Sequence, residues 1–120
     1  MTANEHPDAI DMRIAGQLLA HKRMGQSAFD RLVPVFVEEA QMLISQIRCA
    51  VTASDLEGLR LTAHKLKGSA SVIGAAEVCD IAREIMAMAA SGDLPVPERM
   101  LVLDQALARF SEAASGLRGK

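Results

Sequence analysis

Residues 63–75, with the sequence AHKLKGSASVIGA, contain the side chains of this chain that are best placed for covalent chemistry. On a helix, which turns by about 100° per residue, this stretch and the turn before it have one apolar side and one polar side. The apolar side consists of Leu59, Ala63, Leu66, Ala70 and Ile73. The polar side consists of Arg60, His64, Lys67, Gly68 and Ser71. The pattern therefore displays a histidine away from the core.

An exposed imidazole is a good nucleophile near neutral pH and can accept a phosphoryl group covalently. For phosphoryl transfer, a protein must mainly position the reacting groups and place positive charge around the equatorial oxygens. Lys67, at i+3 from His64, lies on the same helical face and can supply that charge. Gly68, at i+4, leaves room for a partner, although glycine inside a helix costs about 1 kcal/mol relative to alanine. Arg60 is a weaker candidate for phosphate or partner contact, and a purely solvated role for Arg60 and Lys67 is the simpler alternative.

Other enzyme classes find no motif in this sequence. It has no glycine-rich phosphate loop after a strand, no nucleophile elbow and no paired-histidine zinc motif. Glu38 and Glu39 are adjacent and point to different sides of a helix, so they do not form a carboxylate pair. Leu61 and Val72 flank the histidine and are either an apolar docking rim or part of the core. Without a nucleotide-binding element, any phosphate on His64 must come from another protein.

Composition predicts a helical domain with its own core. The chain has 120 residues, of which half are apolar, with three Phe and no Trp or Tyr, and this favours helices over sheets. A net charge of −2 and few aromatic residues argue against nucleic-acid binding. No apolar run approaches 18 residues and no leader pattern is present, so we expect a cytoplasmic protein without membrane contact. Cys49 and Cys79 lack metal or redox spacing and are expected to be reduced.

The helices can be placed from their caps and apolar spacing. Asp8 is a candidate cap for a short first helix, and Ser27 for a longer second one. Pro34 predicts either a bend in the second helix or a start close to it. The second helix has an apolar stripe made of Leu32, Val33, Phe36, Ala40, Leu43, Ile44, Ile47 and Val51.

The third helix is predicted to start at the capping box Ser54-Asp55-Leu56-Glu57 and to stop at Gly74. Glu77 fits the first turn of a fourth helix, where a carboxylate suits the helix dipole. Residues 91–97 are the clearest loop, and Pro97 suits the start of a fifth helix. The predicted core positions of the last two helices are Val78, Ile81, Ala82, Ile85, Ala89, Leu103, Leu107, Phe110, Ala114 and Leu117.

No segment alternates with period two over a strand's length, and no long repeat is present. Short connections between helices predict an all-α fold, an antiparallel up-down four-helix bundle with a short additional N-terminal helix. We expect one domain over residues 1–120, acting as a monomer because the bundle needs no partner to complete its core.

The motif in residues 63–75 closely resembles the signature of histidine-containing phosphotransfer (HPt) domains, A-H-x-L-K-G-S-A-x-x-x-G-A. Residues 36–40, 54–56 and 81–85 are similar to other segments of that family. The resemblance covers roughly residues 27–92. It implies a four-helix bundle that shuttles a phosphoryl group between receiver-domain aspartates of a hybrid sensor kinase and a response regulator in a multistep phosphorelay.

Carried onto this chain, the resemblance implies that His64 is the phosphoacceptor, with Nε2 as the attacking atom. Lys67 would then be the electrostatic helper and Gly68 the clearance for the receiver. Magnesium and the phosphorylatable aspartate belong to the receiver, so no metal or cofactor is expected here. Family members often have Gln or Glu at the position of Met86, where it orients the imidazole, and methionine cannot do so. Arg83, one turn before Met86, is a further candidate for the same area.

Three other hypotheses remain open. One is a non-phosphorylated binding module that regulates a receiver or kinase by docking, which the residue at Met86 favours and the intact His64 and Lys67 disfavour. Another is the phosphoacceptor domain of a chemotaxis-type kinase, which has an attached catalytic domain, and the end of the sequence at Lys120 disfavours it. The third is a plain structural bundle, which does not explain why a glycine, Gly68, occupies an exposed helix face.

Overall fold

The structure is a computed structural model that describes residues 9–117, and in this range it contains five α-helices and one small hairpin. The elements are α1 (Met12–Ala20), β1 (Lys22–Arg23), β2 (Gln26–Ser27), α2 (Ala28–Thr52), α3 (Leu56–Ile73), α4 (Ala76–Ala90) and α5 (Pro97–Leu117). Helix α3 packs between α2 and α4, and α5 packs against both α2 and α4. The predicted helical bundle with a short additional N-terminal helix is confirmed.

Helix α1 begins after Asp11, whose carboxylate is its N-cap and accepts a hydrogen bond from the Arg13 amide at 3.0 Å. This contact satisfies one of the amides that the first turn leaves without an intrahelical partner. The hydrogen bond from the Arg13 side chain, together with the amide contact, lowers the pKa of Asp11. The predicted cap, Asp8, lies outside the described residues. The helix itself begins at Met12, later than the apolar spacing suggested.

A short hairpin between α1 and α2 was not predicted from the sequence, although the all-α fold class is correct. The antiparallel strands pair Lys22 with Ser27 and Arg23 with Gln26. Met24 and Gly25 form the turn with φ angles of 56° and 80°, and two positive φ angles are typical of a type I′ hairpin turn. Strands of two residues are too short to show alternation, which is why the sequence pattern missed them.

Helix α2 starts where predicted, because the Ser27 hydroxyl accepts a hydrogen bond from the Asp30 amide at 3.0 Å. Pro34 lies inside this helix and does not start it. Proline lacks the N–H that continues the helical ladder, yet the helix runs on because its apolar stripe is buried on both sides of Pro34. The predicted burial is wrong for one member of the stripe, Leu32, whose side chain is exposed. Ala50, which was not predicted, is buried.

Helix α3 is capped one residue later than predicted. The carboxylate of Asp55, and not the hydroxyl of Ser54, accepts a hydrogen bond from the Gly58 amide at 2.9 Å. Ser54 lies in the preceding turn with a φ of 54°. At the other end, Gly74 adopts the left-handed conformation with a φ of 80° and ends the helix as predicted. The Gly74 carbonyl also accepts a hydrogen bond from the Asp11 amide at 2.7 Å, which joins this end to α1.

Helices α4 and α5 follow the predicted boundaries. Glu77 lies in the first turn of α4, residues 91–96 form the loop, and Pro97 begins α5. Arg109 of α5 donates two hydrogen bonds to the Glu77 carboxylate, at 2.9 and 2.6 Å. These hydrogen bonds are the main reason that the pKa of Arg109 is raised. The two helices are therefore joined by a bidentate ion pair as well as by apolar packing.

The core lies between α2, α3, α4 and α5, and its largest fully buried side chains are Phe29, Phe110, Ile47, Leu59, Leu66, Ile73, Ile85, Leu103 and Val78. Phe36 and Phe110 contact each other edge to face, with ring centroids 5.2 Å apart. Both cysteines are free, Cys49 exposed and Cys79 buried. Among the helices in the described range, none has the length and the hydropathy needed to cross a membrane.

Candidate functional site

His64 lies near the middle of α3 with its side chain exposed to solvent. The opposite side of α3 is entirely buried, because all five residues of the predicted apolar stripe have 2% of their surface or less exposed. Burial of this stripe against α2 and α4 fixes the rotation of α3 about its axis. The scaffold therefore holds the imidazole outward from the bundle.

Gly68, one turn beyond His64, borders open space. Apart from its own helical turn, a Cβ placed on this glycine would meet no atom of the described chain within 4 Å. Its backbone is ordinary helix, so neither crowding nor a positive φ explains a glycine here. Gly74 differs, because a Cβ there would lie 3.1 Å from the Asp11 carbonyl oxygen and the φ is positive. Gly68 therefore leaves open space one turn from His64, a property that Gly16 and Gly116 share at other places in the fold.

Lys67 and Ser71 continue the same face toward α4. Lys67 is half-buried and lies one turn from His64, at a spacing that brings Cβ atoms within about 5–6 Å on a helix. The Ser71 hydroxyl donates its hydrogen bond back to the Lys67 carbonyl, at 2.9 Å. Ser71 is exposed but has its proton engaged by the backbone of its own helix. Lys67 thus provides a cation on the helical face of His64, one turn away.

Arg60 is engaged in an ion pair that the sequence prediction did not include. Its guanidinium donates two hydrogen bonds to Glu57, at 2.8 and 3.2 Å. These hydrogen bonds, and then the charge attraction, lower the pKa of Glu57 and raise that of Arg60. Arg60 therefore stabilises the first turn of α3 in this structure and does not present a free positive charge beside His64.

The two predicted residues on α4 are also placed differently from each other. Arg83 is exposed and pairs with Asp80 at 3.0 Å, and its guanidinium approaches the Cys79 sulfur at 3.8 Å. Met86 is half-buried and packs against the core. A thioether in this position is an apolar packing group and offers no hydrogen-bond donor to the imidazole.

No hydrogen bond to the His64 imidazole occurs within residues 9–117. Among the described residues, no group accepts a hydrogen bond from the ring N–H or donates one to the other ring nitrogen. No hydrogen bond within the described residues therefore fixes the orientation of the ring.

The apolar residues beside His64 belong to the surface and not to the core. Leu61 is 46% exposed and Val72 is 67% exposed. Of the two interpretations left open by the sequence, burial is therefore wrong for both residues. The adjacent contact between α3 and α2, in which the Ser69 hydroxyl donates to Glu39 at 2.8 Å, was also missed. A hydrogen bond between separate helices has no signature in sequence spacing.

The charges on this face favour the binding of an anionic group over the binding of a metal ion. Within the described part of the chain, no three acidic, histidine or cysteine side chains are grouped so that they could hold a metal. His64 is exposed, has a lysine one turn away and has open space beside it. This arrangement allows an external group to approach the imidazole and permits in-line attack by a ring nitrogen.

The Hpt domain family model matches residues 31–113. This match covers more than half of the chain, including α3 with His64 and all of α4. The chain therefore belongs to the Hpt domain family. A search of curated proteins gives no significant match.

Two solved structures share the fold. Histidine-containing phosphotransfer protein B (HptB) from Pseudomonas aeruginosa PAO1 is 24% identical with a TM-score of 0.70, and the alignment covers 89% of each chain. Histidine-containing phosphotransfer protein MtHPt2 from Medicago truncatula is 16% identical with a TM-score of 0.61, covering 91% of this chain and 71% of that one. At these identities the likeness establishes the helical bundle.

Proposed function

We propose that this protein is a phosphocarrier that receives a phosphoryl group on His64 from an aspartyl phosphate of one receiver domain and passes it to the aspartate of another. In the terms of a phosphorelay, the donor is a receiver of a hybrid sensor kinase and the acceptor is a response regulator. The carrier acts as a cytoplasmic monomer without an ATP site of its own. The observation that carries this proposal is the exposed His64 beside the open space at Gly68.

The proposed reaction is a reversible displacement at phosphorus. The lone pair of Nε2 forms the N–P bond while the P–O bond to the donor aspartate breaks, and the aspartate leaves as a carboxylate. The proton on Nδ1 stays on the ring, so the phosphorylated imidazole remains able to release the group. In the second half, an acceptor carboxylate oxygen forms a P–O bond as the N–P bond breaks. No oxidant, nucleotide or additional proton donor is needed.

Lys67 and Gly68 have separate roles in this proposal. The Lys67 ammonium offsets the charge on the equatorial oxygens in the transition state, where phosphoryl transfer depends most on electrostatics. Gly68 allows the rim of the receiver to reach the helix surface without meeting a side chain. Leu61 and Val72, both exposed, provide apolar contact area on either side of the histidine.

The direct test uses purified receiver domains of the source organism, each carrying radiolabelled phosphate on its aspartate. We expect at least one to transfer label to the protein as an acid-labile, base-stable phosphohistidine. His64→Gln abolishes labelling, and His21→Gln, which changes the exposed histidine of the α1–β1 connection, retains it. Labelling of the His64→Gln protein at the wild-type rate contradicts the assignment.

A second function is favoured by one observation, that no residue within 9–117 hydrogen-bonds the His64 ring. It is docking without phosphoryl transfer, in which the protein regulates a receiver or kinase by occupancy. In that case His64→Ala preserves regulation of the partner in full. A measurement of response-regulator output in cells that carry His64→Ala therefore separates the two functions, because a carrier loses output with its histidine.

A further inference from the structure

Arg60 lies one turn before His64 on α3, and its guanidinium is bound to a carboxylate on the far side from the imidazole. It donates two hydrogen bonds to Glu57, from Nη2 at 2.8 Å and from Nε at 3.2 Å. The two side chains are 41% and 68% exposed. Water screens an ion pair as open as this one, so it is held weakly. The guanidinium can therefore change its partner at little cost.

The direction of side chains on a helix brings the His64 imidazole toward Arg60. Every Cα–Cβ bond tilts toward the helix N-terminus, so a side chain covers the turn that precedes its own Cα. His64 follows Arg60 by four residues, a spacing at which Cβ atoms are about 5–6 Å apart. A group bound to the imidazole therefore lies over the turn that contains Arg60, whereas Lys67 approaches it from the following turn.

A phosphoryl group on His64 competes with Glu57 for this guanidinium. The phosphoryl group carries a charge of about −1.5 to −2 near pH 7 and has three acceptor oxygens, whereas the carboxylate has one charge and two oxygens. The planar fork of arginine binds phosphate bidentately, as it binds a carboxylate. The higher charge favours the phosphoryl group, and the exposed Glu57 returns to water when it is released.

The carboxylates of α4 do not compete for Arg60 in this structure, because each has an arginine of its own. Glu77 and Glu84 pair with arginines of α5. Asp80 pairs with Arg83 on α4 itself, at 3.0 Å. The acidic side chains of the helix that packs beside the His64 face are therefore neutralised locally.

The carboxylates of α2 lie at other levels of the bundle. The hydrogen bond from Ser69 to Glu39 sets the register of the antiparallel helices α3 and α2. Arg60 is nine residues from Ser69, so Glu39 is about 14 Å from the level of Arg60 along the bundle. Glu38 and Asp30 precede Glu39 on α2 and are therefore farther still. Glu57 is thus the carboxylate that determines where the Arg60 guanidinium lies.

We propose that Arg60 exchanges Glu57 for the phosphoryl group when His64 becomes phosphorylated, and so stabilises the phosphohistidine until a receiver accepts the group. This inference rests on the proposed function, because phosphorylation of His64 triggers the exchange. No covalent bond changes in this step, since two hydrogen bonds to the carboxylate are replaced by two to phosphoryl oxygens. Arg60 acts on the phosphorylated carrier, whereas Lys67 acts on the transition state.

The test forms the phosphohistidine without a receiver, by treating the full chain with phosphoramidate, which phosphorylates imidazoles. The signal of interest is the phosphorus NMR resonance that is absent from His64→Gln protein treated in the same way. A pH titration of this resonance gives the pKa of the phosphoryl group. Arg60→Gln is expected to raise this pKa by about 0.5, because a cation about 4 Å away favours the dianion even in water. Arg60→Lys, which keeps the charge and loses the fork, is expected to raise it less.

A second measurement follows the guanidinium itself. The Arg60 Nε–H resonance is assigned by its absence from the Arg60→Gln spectrum. In the unphosphorylated protein, Glu57→Gln is expected to shift this resonance, because the Nε–H donates to Glu57. In the phosphorylated protein the same substitution is expected to leave it in place. A resonance that responds equally to Glu57→Gln in both states shows that the guanidinium stays on the carboxylate, and it overturns the exchange.

The matched control is Arg13→Gln, which removes the same charge from an exposed arginine that also pairs with a nearby carboxylate, Asp11. The Asp11 amide contacts the Gly74 carbonyl, ten residues or about 15 Å along α3 from His64. This distance exceeds the screening length at physiological salt, about 8 Å. Arg13→Gln is therefore expected to leave the pKa of the phosphoryl group unchanged.

The remaining outcomes separate this inference from the proposed function. If Arg60→Gln changes the phosphoryl pKa no more than Arg13→Gln does, the exchange is wrong. It is also wrong if Arg83→Gln raises that pKa and Arg60→Gln does not, or if phosphoramidate does not phosphorylate His64. Failure of the proposed function is seen elsewhere, in the assay in which no phosphorylated receiver labels the protein.

Discussion

Gly68→Ala is predicted to make the protein more stable and its phosphoryl transfer slower. The added methyl group enters open space, with no atom of the described chain beyond its own helical turn within 4 Å, and the backbone at residue 68 is helical. Replacing glycine by alanine in an exposed helix interior stabilises by about 0.8–1.0 kcal/mol. For a domain of 120 residues, an unfolding entropy of about 2.1 cal/mol/K per residue converts this into a rise in melting temperature of about 3–4 °C.

The same methyl group stands where the proposed receiver approaches. Overfilling a packed contact costs about 1–3 kcal/mol, which corresponds to a loss of about 5- to 150-fold in kcat/KM for transfer from the phosphorylated receiver. Urea unfolding followed by circular dichroism measures the first effect, and rapid-quench transfer of labelled phosphate measures the second. The opposite signs of the two effects distinguish a clearance role from general damage to the fold.

Two further glycines serve as controls for Gly68→Ala. Gly16 lies inside α1 with nothing within 4 Å of its position for a Cβ, so Gly16→Ala is expected to stabilise similarly and to leave transfer unchanged. At Gly58 a Cβ would lie 2.3 Å from the Asp55 carboxylate that caps α3, so Gly58→Ala is expected to destabilise. A Gly68→Ala protein that gains stability and transfers phosphate at the wild-type rate refutes the clearance role.

Three other substitutions test the remaining parts of α3. Lys67→Gln should slow transfer about 10- to 100-fold with little change in receiver binding. Lys67→Arg should restore part of the rate, and Lys65→Gln, the control, should have little effect. Equal transfer rates for Lys67→Gln and Lys65→Gln contradict the assignment. Gly74→Ala should cost about 2 kcal/mol in urea unfolding, because its φ is positive and the α1 backbone is close, and an unchanged midpoint would falsify that account. Glu57→Gln should lower the urea midpoint at pH 7, and the difference from the wild type should shrink as the pH falls. The hydrogen bond from Arg60 lowers the pKa of Glu57 in the folded state, so its contribution is present above the unfolded pKa and is lost as the pH falls through the folded value. A difference between the two proteins that does not shrink with falling pH refutes the linkage.

The helix boundaries that depend on one residue and its immediate neighbours were predictable from the sequence. Ser27 at the start of α2, Gly74 at the end of α3 and Pro97 at the start of α5 lie where expected. The start of α3 was misplaced because Ser54 and Asp55 are both good capping residues. The tight turn after α2 puts Ser54 at a φ of 54°, so that the neighbouring carboxylate reaches the Gly58 amide instead.

The contacts between elements were not predictable in this way. The pairing of Ser69 with Glu39 depends on how α3 sits against α2, and the exposure of Leu32 depends on what covers the first turns of α2. The hairpin escaped notice because a Met-Gly dipeptide is not a usual signal for a type I′ turn. The pairing of Arg60 with Glu57, at a spacing of three residues, was accessible to sequence reasoning and was overlooked in favour of a role beside the phosphate.

The two glycines of the histidine motif have different physical causes. Gly74 is required by the fold, because its positive φ ends α3 and because a Cβ there would lie only 3.1 Å from the Asp11 carbonyl oxygen. Gly68 is opposed by the fold, since alanine would fit and would stabilise the helix. Its position one turn from His64, which Gly16 does not share, is the reason for predicting that a partner uses the space at Gly68. The surroundings of the two motif glycines therefore separate a requirement of the fold at Gly74 from a predicted clearance at Gly68.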